Sequence, residues 1–295
     1  MGLFRVSGVG LGNLLFAWAR SIVLARQYCL TPIWPTWTQL KLGPILRGEK
    51  DKRIYHDLFS SPPDYIHGLE KLYLLTKLER IAEDEIDKGF LQNVDPKKSI
   101  IIEFAGMQGY FSRILTDHEI VHFELLRMTR GRHKTAWNRS LGKIIAVHVR
   151  LGDFAVSADS ASLRKGASNF RIPIAWYVEK IEQIRKLTGQ DMPVCVFSDG
   201  TDEELSSLLL LANVKRVSFG SSIADLLAMS HSSILVTSGS TFSMWASYLG
   251  RMPVIWFPGE MRQKLYYEPD LLEVESGKGE ELPMQFLRNF MATHQ

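Results

Sequence analysis

Three short polar clusters in this 295-residue chain each follow an apolar run that reads as a strand. His148, Arg150 and Asp153 follow Ile144-Ile145-Ala146-Val147; Ser198 and Asp199 follow Val194-Cys195-Val196-Phe197; Ser238, Ser240, Thr241 and Ser243 follow Ile234-Leu235-Val236. The guanidinium of Arg150 could grip a phosphate through two charge-assisted hydrogen bonds. Gly152 would let the backbone approach a ligand closely. Asp153 could orient Arg150, cap the next segment or take a proton, and the plainer reading is an Arg–Asp pair that ties down a loop. A Ser/Thr-rich loop feeding a helix offers an anion hydroxyls, unpaired backbone N–H groups and a positive dipole end. Plain N-capping of the helix that begins near Phe242 explains Ser240 or Thr241 equally well. Asp199 could accept from the N–H groups of a purine or the hydroxyls of a ribose, or cap the next helix. His148, inside an apolar strand, reads more readily as a hydrogen-bonded core histidine than as a catalytic one. Asp159, in the loop beyond Phe154, is a candidate general base, its alternative an exposed loop acid.

These groups converge only if the strands that carry them lie parallel. The second half alternates strand and helix: a helix from Pro173 to about Leu187 stopped by Gly189, a helix over 202–211, a strand over 215–219, a helix over 222–230, one over 242–249 and a strand over 253–257. Such alternation predicts right-handed βαβ units in a parallel sheet, and ligands of such sheets bind beyond the carboxyl ends of the strands. The first half predicts a strand at Leu3–Val6, a glycine loop through Gly8, Gly10, Gly12 and Asn13, and a helix over 14–28. The loop departs from the G-x-G-x-x-G dinucleotide pattern. The run 31–35 reads as the end of a second strand, 69–78 as a helix, 79–88 as charged solvated surface, 100–104 as a strand and 116–128 as a helix. The basic run at 129–134 is the expected linker, giving domains 1–135 and 136–295.

Bulk properties narrow the classes. The chain is 45% hydrophobic and 23% charged with mean hydropathy −0.05, the make-up of an ordinary globular protein. A net charge of +3 is too small to argue for a polyanion partner such as nucleic acid. Cys29 and Cys195 both sit in apolar sequence and read as buried free thiols of a reducing compartment. No apolar run reaches the roughly 18 residues that span a bilayer, the N-terminus shows no signal-peptide pattern, and Val6 breaks the myristoylation motif. The expectation is a soluble cytoplasmic protein, open to peripheral membrane contact, with its oligomeric state undetermined. No Asp-x-Asp pair occurs, and no metal site or resident cofactor is expected.

At these residues the chain resembles the α-1,2-fucosyltransferases, glycosyltransferase family 11. Gly10-Leu11-Gly12-Asn13-Leu14-Leu15-Phe16 is similar to that family's G-x-G-N-Q-L-F opening, and Gly109-Tyr110-Phe111-Ser112 to its G-Y-[FW]-Q-S segment. His148-Val149-Arg150-Leu151-Gly152-Asp153-Phe154 resembles H-V-R-R-G-D-Y, and Phe197-Ser198-Asp199 resembles F-S-D. Asp225 through Ser230 and Ser240 through Leu249 resemble the late D-L-x-x-M-S and S-[ST]-F-S-W-W-A-A-x-L motifs. The resemblance implies a GT-B-like α/β fold of two Rossmann-like domains facing across a cleft, the first on the acceptor side and the second holding the nucleotide sugar. It implies inverting, metal-independent transfer of fucose from GDP-fucose to a glycan hydroxyl. Gly10, Gly12, Asn13, His148, Arg150, Ser198, Asp199, Ser240, Thr241 and Ser243 would then bind the donor, and Arg150, Asp153 and Asp159 would carry the chemistry. Leu14, Gly239 and Met244 depart from the pattern, and Leu151 stands where the family has a second arginine. Losing such a donor costs phosphate binding about 1.5–3 kcal/mol unless Arg164, Lys165 or Arg171 replaces it. The acceptor is expected to meet the first domain, with Trp34, Trp37 and Tyr110 as stacking candidates or core residues. The other readings are a related GT-B enzyme for a different nucleotide sugar and a silent sugar-nucleotide or glycan-binding protein.

Overall fold

The computed structural model describes residues 9–38, 54–93, 95, 97–135, 143–152, 154–155, 170–266 and 272–292. The expected strand at Leu3–Val6, Asp153, Asp159, Arg164 and Lys165 lie outside them. The chain divides into two compact units, with the change from Arg130 to Gly131.

In the second unit six strands form one sheet: β3 (Ile145–Val149), β4 (Val194–Ser198), β5 (Val214–Arg216), β6 (Ile234–Thr237), β7 (Val254–Trp256) and β8 (Glu273–Glu275). All pair in parallel, in the order β5-β4-β3-β6-β7-β8. The order therefore reverses between β3 and β6, which in open α/β sheets is where a crevice opens at the carboxyl ends of the strands. Every residue of β3 is buried, as a strand covered on both faces requires.

The pleat sorts those residues to two sides. Ile145, Val147 and Val149 join one cluster with Trp176, Tyr177, Ile181 and Ile184 of α4 (Ile174–Thr188) and with Phe286 and Phe290 of α8 (Met284–Ala292). His148 points the other way, toward α7 (Thr241–Gly250). α6 (Ser222–Met229) packs against α7, and α4 ends at Gly189 with a φ of 63°, the left-handed stop that glycine accepts at no cost.

The first unit contains α1 (Leu11–Gln27), α2 (Gly68–Lys77), the parallel pair β1 (Glu79–Ala82) and β2 (Ile100–Glu103), and α3 (His118–Met128). The charged 79–88 run was expected as surface alone. It contains β1, whose backbone pairs with β2 while its side chains stay mostly exposed. At 31–35 there is only the bridge Ile33–Ile66 in place of a strand. The 202–211 helix is a single α-helical turn, α5 (Ser206–Leu209), and β8 and α8 were not foreseen. Cys29 is exposed, against expectation, because it lies past the end of α1; Cys195 is buried.

Candidate functional site

Register brings the strand-end residues together. Val149 pairs with Ser198, so Arg150 lies level with Asp199. His148 pairs with Thr237, and continuing that register sets Gly239 beside Arg150. Arg150, Asp199, Ser240 and Thr241 thus share the carboxyl edge on both sides of the reversal between β3 and β6.

Arg150 forms an ion pair with Asp199 through Nη1 and Oδ2. The other Asp199 oxygen accepts the Leu151 N–H at 2.8 Å. Both side chains keep about a quarter to a third of their surface exposed, 24% and 31%, so the pair is open to solvent. The guanidinium carbon also lies 5.6 Å from the centre of the Phe154 ring. Ser198 Oγ accepts the Gly200 N–H at 3.0 Å and tightens the same turn.

Ser240 is the N-cap of α7, its Oγ accepting the Phe242 N–H at 3.2 Å. The first turn of α7 contains no acidic residue. Its dipole end therefore stays positive beside Arg150, the electrostatics an anion needs. His148 is 7% exposed, and its Nδ1 lies 2.5 Å from Ser243 Oγ, with Phe242 stacked obliquely at 5.6 Å. Burial pushes its pKa down to about 4; the Asp199 charge opposes that and the Arg150 charge adds to it. A neutral imidazole at ordinary pH braces the start of α7 from below, which is the core-histidine reading.

Leu151 is 3% exposed and packs over Gly200, where an added Cβ would collide with its Cδ1. Arg171 donates to Phe154 O at 3.0 Å and pairs with Glu204 at 2.7 Å. Gly10, Gly12 and Asn13 belong to the first unit, where Gly10 is the N-cap of α1 and its carbonyl accepts the Asn13 N–H at 3.1 Å. Trp34 and Trp37 line a cavity of about 510 Å³ in that unit, walled also by α1, α2 and β2. Trp37 is buried against Phe59, with ring centres 4.4 Å apart, and Tyr110 packs edge-on to Phe16 at 5.7 Å.

Two features escaped the sequence reading. Glu260, just past β7, is 1% exposed and lies directly against Gly239. The clue was an acid at a strand end, the same clue that marked Asp199. The second is His118-Glu119-Ile120-Val121-His122, an H-E-x-x-H spacing that sets two imidazoles on one helix face. In α3 these rings lie 5.5 Å apart, and His118 Nδ1 meets Glu119 at 3.2 Å. Among the described residues, no third His, Cys, Asp or Glu joins them in a set that could hold a metal. No helix among the described residues is long and apolar enough to cross a membrane.

Among solved structures, the chain is similar to the NodZ α-1,6-fucosyltransferase soaked with GDP-fucose, at 15% identity over 86% of this chain and 94% of that one, TM-score 0.50. It is also similar to NodZ from Bradyrhizobium, at 16% identity over 87% and 96%, TM-score 0.49. A third is POFUT1 in complex with GDP-fucose, at 14% identity over 86% and 96%, TM-score 0.45. At such identities the first likeness speaks for the fold alone, a GT-B-like α/β fold. No curated protein matches. The model of glycosyl transferase family 11 matches residues 107–256, a span that includes β3, β4, β6, α7 and the strand-end residues between them. The chain belongs to glycosyl transferase family 11.

Proposed function

We propose that this protein transfers fucose from GDP-fucose to a hydroxyl of a glycan acceptor, with inversion, without a metal and in α-1,2 linkage. The observation that carries the reading is the solvent-open Arg150, held by Asp199 at the sheet edge beside the Ser240 cap of α7. A nucleotide diphosphate seated there would meet one guanidinium and one helix N-terminus. As the acceptor oxygen bonds to the anomeric carbon, the bond from that carbon to the β-phosphate oxygen breaks and negative charge grows on the leaving GDP. Arg150 is suited to offset that charge, and Asp153 or Asp159 would take the acceptor proton. In this proposal the enzyme is cytoplasmic and acts on a nucleotide-sugar donor and a glycan. The test is a thermal-shift panel joined to a transfer assay. GDP and GDP-fucose should raise the melting temperature and labelled fucose should pass to a glycan. A shift by UDP or dTDP alone would overturn the donor assignment, and binding without transfer across acceptors would overturn the enzyme assignment.

A further inference from the structure

Glu260 is a buried acid near the sheet edge that the proposed reaction does not use. It follows β7, and its carboxylate rests on the loop between β6 and α7: a Cβ built on Gly239 would overlap Glu260 Oε2. The Gly239 N–H donates to that carboxylate, while Oε1 has no hydrogen-bond partner among the described residues. The segment that carries Glu260 is itself pinned by β8. Glu275 Oε1 accepts the N–H groups of Gly259 at 2.9 Å and Met261 at 3.0 Å. The groups facing the carboxylate are Arg262, 3.5 Å away, the Glu275 charge, and the Tyr177 hydroxyl of α4, which also feels Ser238. The absence of a side chain at position 239 is what leaves room for Glu260, so the departure from the family's motif there and this buried acid are two sides of one packing arrangement.

Resting on the donor-site reading above, we propose that Glu260 is a positioning residue: its carboxylate holds the Ser238–Thr241 loop through Gly239, and it takes up a proton when a nucleotide diphosphate seats on that loop. The reason is electrostatic. An anion at the start of α7 places negative charge within a residue or two of a buried carboxylate, and like charges in a poorly solvated place favour the neutral form of the acid. Burial already pushes Glu260 up to about 7, with Arg262 and the Gly239 N–H pulling it back and Glu275 adding to the rise. Diphosphate binding would carry it further, and its carboxyl form keeps an oxygen to accept the Gly239 N–H.

Calorimetric titration with GDP at pH 7.5, in two buffers of different ionisation enthalpy, counts protons bound per GDP. The wild type should take up a fraction of a proton, and Glu260→Gln, which keeps the shape and an acceptor oxygen, should take up correspondingly less. Between pH 6.5 and 8.5 the wild-type affinity should fall about fivefold or more beyond that of Glu260→Gln, since one coupled proton is worth up to tenfold per pH unit. Using the difference cancels the titration of the GDP phosphate itself. Glu260→Ala, which removes the brace, should bind more weakly at every pH, whereas Glu260→Gln should match the wild type at pH 6.5. Equal proton counts and parallel pH profiles would overturn the role of Glu260 and leave the donor site standing. Failure of GDP to bind at all would overturn the donor site and this inference together.

Discussion

Asp199 holds two consecutive residues of the β3 edge at once: one oxygen pairs with the Arg150 guanidinium and the other accepts the Leu151 N–H. The carboxylate therefore fixes both the backbone that carries the cation and the cation itself. It does so from the neighbouring strand, at the level the parallel register dictates.

Removing the cation should cost donor binding directly. Arg150→Ala should weaken GDP affinity by about 1.5–3 kcal/mol, roughly 10- to 150-fold, the worth of hydrogen bonds to a charged group. Arg150→Lys should recover less than half of that, since an ammonium cannot form the two-pronged grip. Titration calorimetry checks both, and an unchanged affinity in Arg150→Ala would remove the residue from the site.

Leu151 offers a contrasting test. Its side chain is buried over Gly200, in the same cluster as β3 and α4, and does not face the edge. Restoring the family's arginine with Leu151→Arg should therefore place a charge in the core and cost stability on the order of 3 kcal/mol or more. Urea unfolding reads the loss, and no gain in GDP affinity is expected. A variant of wild-type stability that binds GDP more tightly would show that position 151 can reach the diphosphate.

His148 predicts an acid limb in stability. Its folded pKa, about 4, lies below the ordinary histidine value of 6.5. The unfolded chain binds the proton first, so stability is fully present above 6.5 and declines as pH falls toward 4. The slope is at most about 1.4 kcal/mol per pH unit. His148→Gln should flatten this limb in unfolding curves between pH 6.5 and 4.5; an identical slope would show that the histidine titrates normally.

Glu273 predicts the opposite slope. It accepts the N–H groups of Leu265 at 2.6 Å and Tyr266 at 3.1 Å, yet burial, the largest influence, pushes it up to about 7. A carboxyl raised in the folded state binds its proton more tightly there than in the unfolded chain. Stability is then greatest below about 4.5 and declines as pH rises to about 7, with Glu260 acting in the same direction. Glu273→Gln should lessen the loss between pH 5 and pH 8 by roughly 1 kcal/mol or more, read by urea unfolding. A loss as large as in the wild type would place the titration elsewhere.

Much of this site can be read before any coordinates. An apolar run that ends in Arg150, another in Ser198-Asp199 and a third in Ser240-Thr241 announce strand ends by composition, because a strand covered on both faces must stay apolar until it emerges. Alternation with helices makes those strands parallel, and parallel strands put their carboxyl ends on one edge. Local chemistry likewise marks Gly189 as a stop and Ser240 as a cap.

What only the tertiary structure decided are the partnerships. Sequence order cannot say that Asp199 meets Arg150, because pairing partners 49 residues apart depend on which strands become neighbours and in what register. Nor can it say that Leu151 turns inward, or that Glu260 fills the space beside Gly239. β8 is three residues long, with glutamates on both sides of Val274, and is held by pairing with β7 and by the loop N–H groups its acids receive. Hydrophobic patterning records how often a residue must be buried; it does not record which buried residues touch, and at this sheet edge the contacts set the charge of each group.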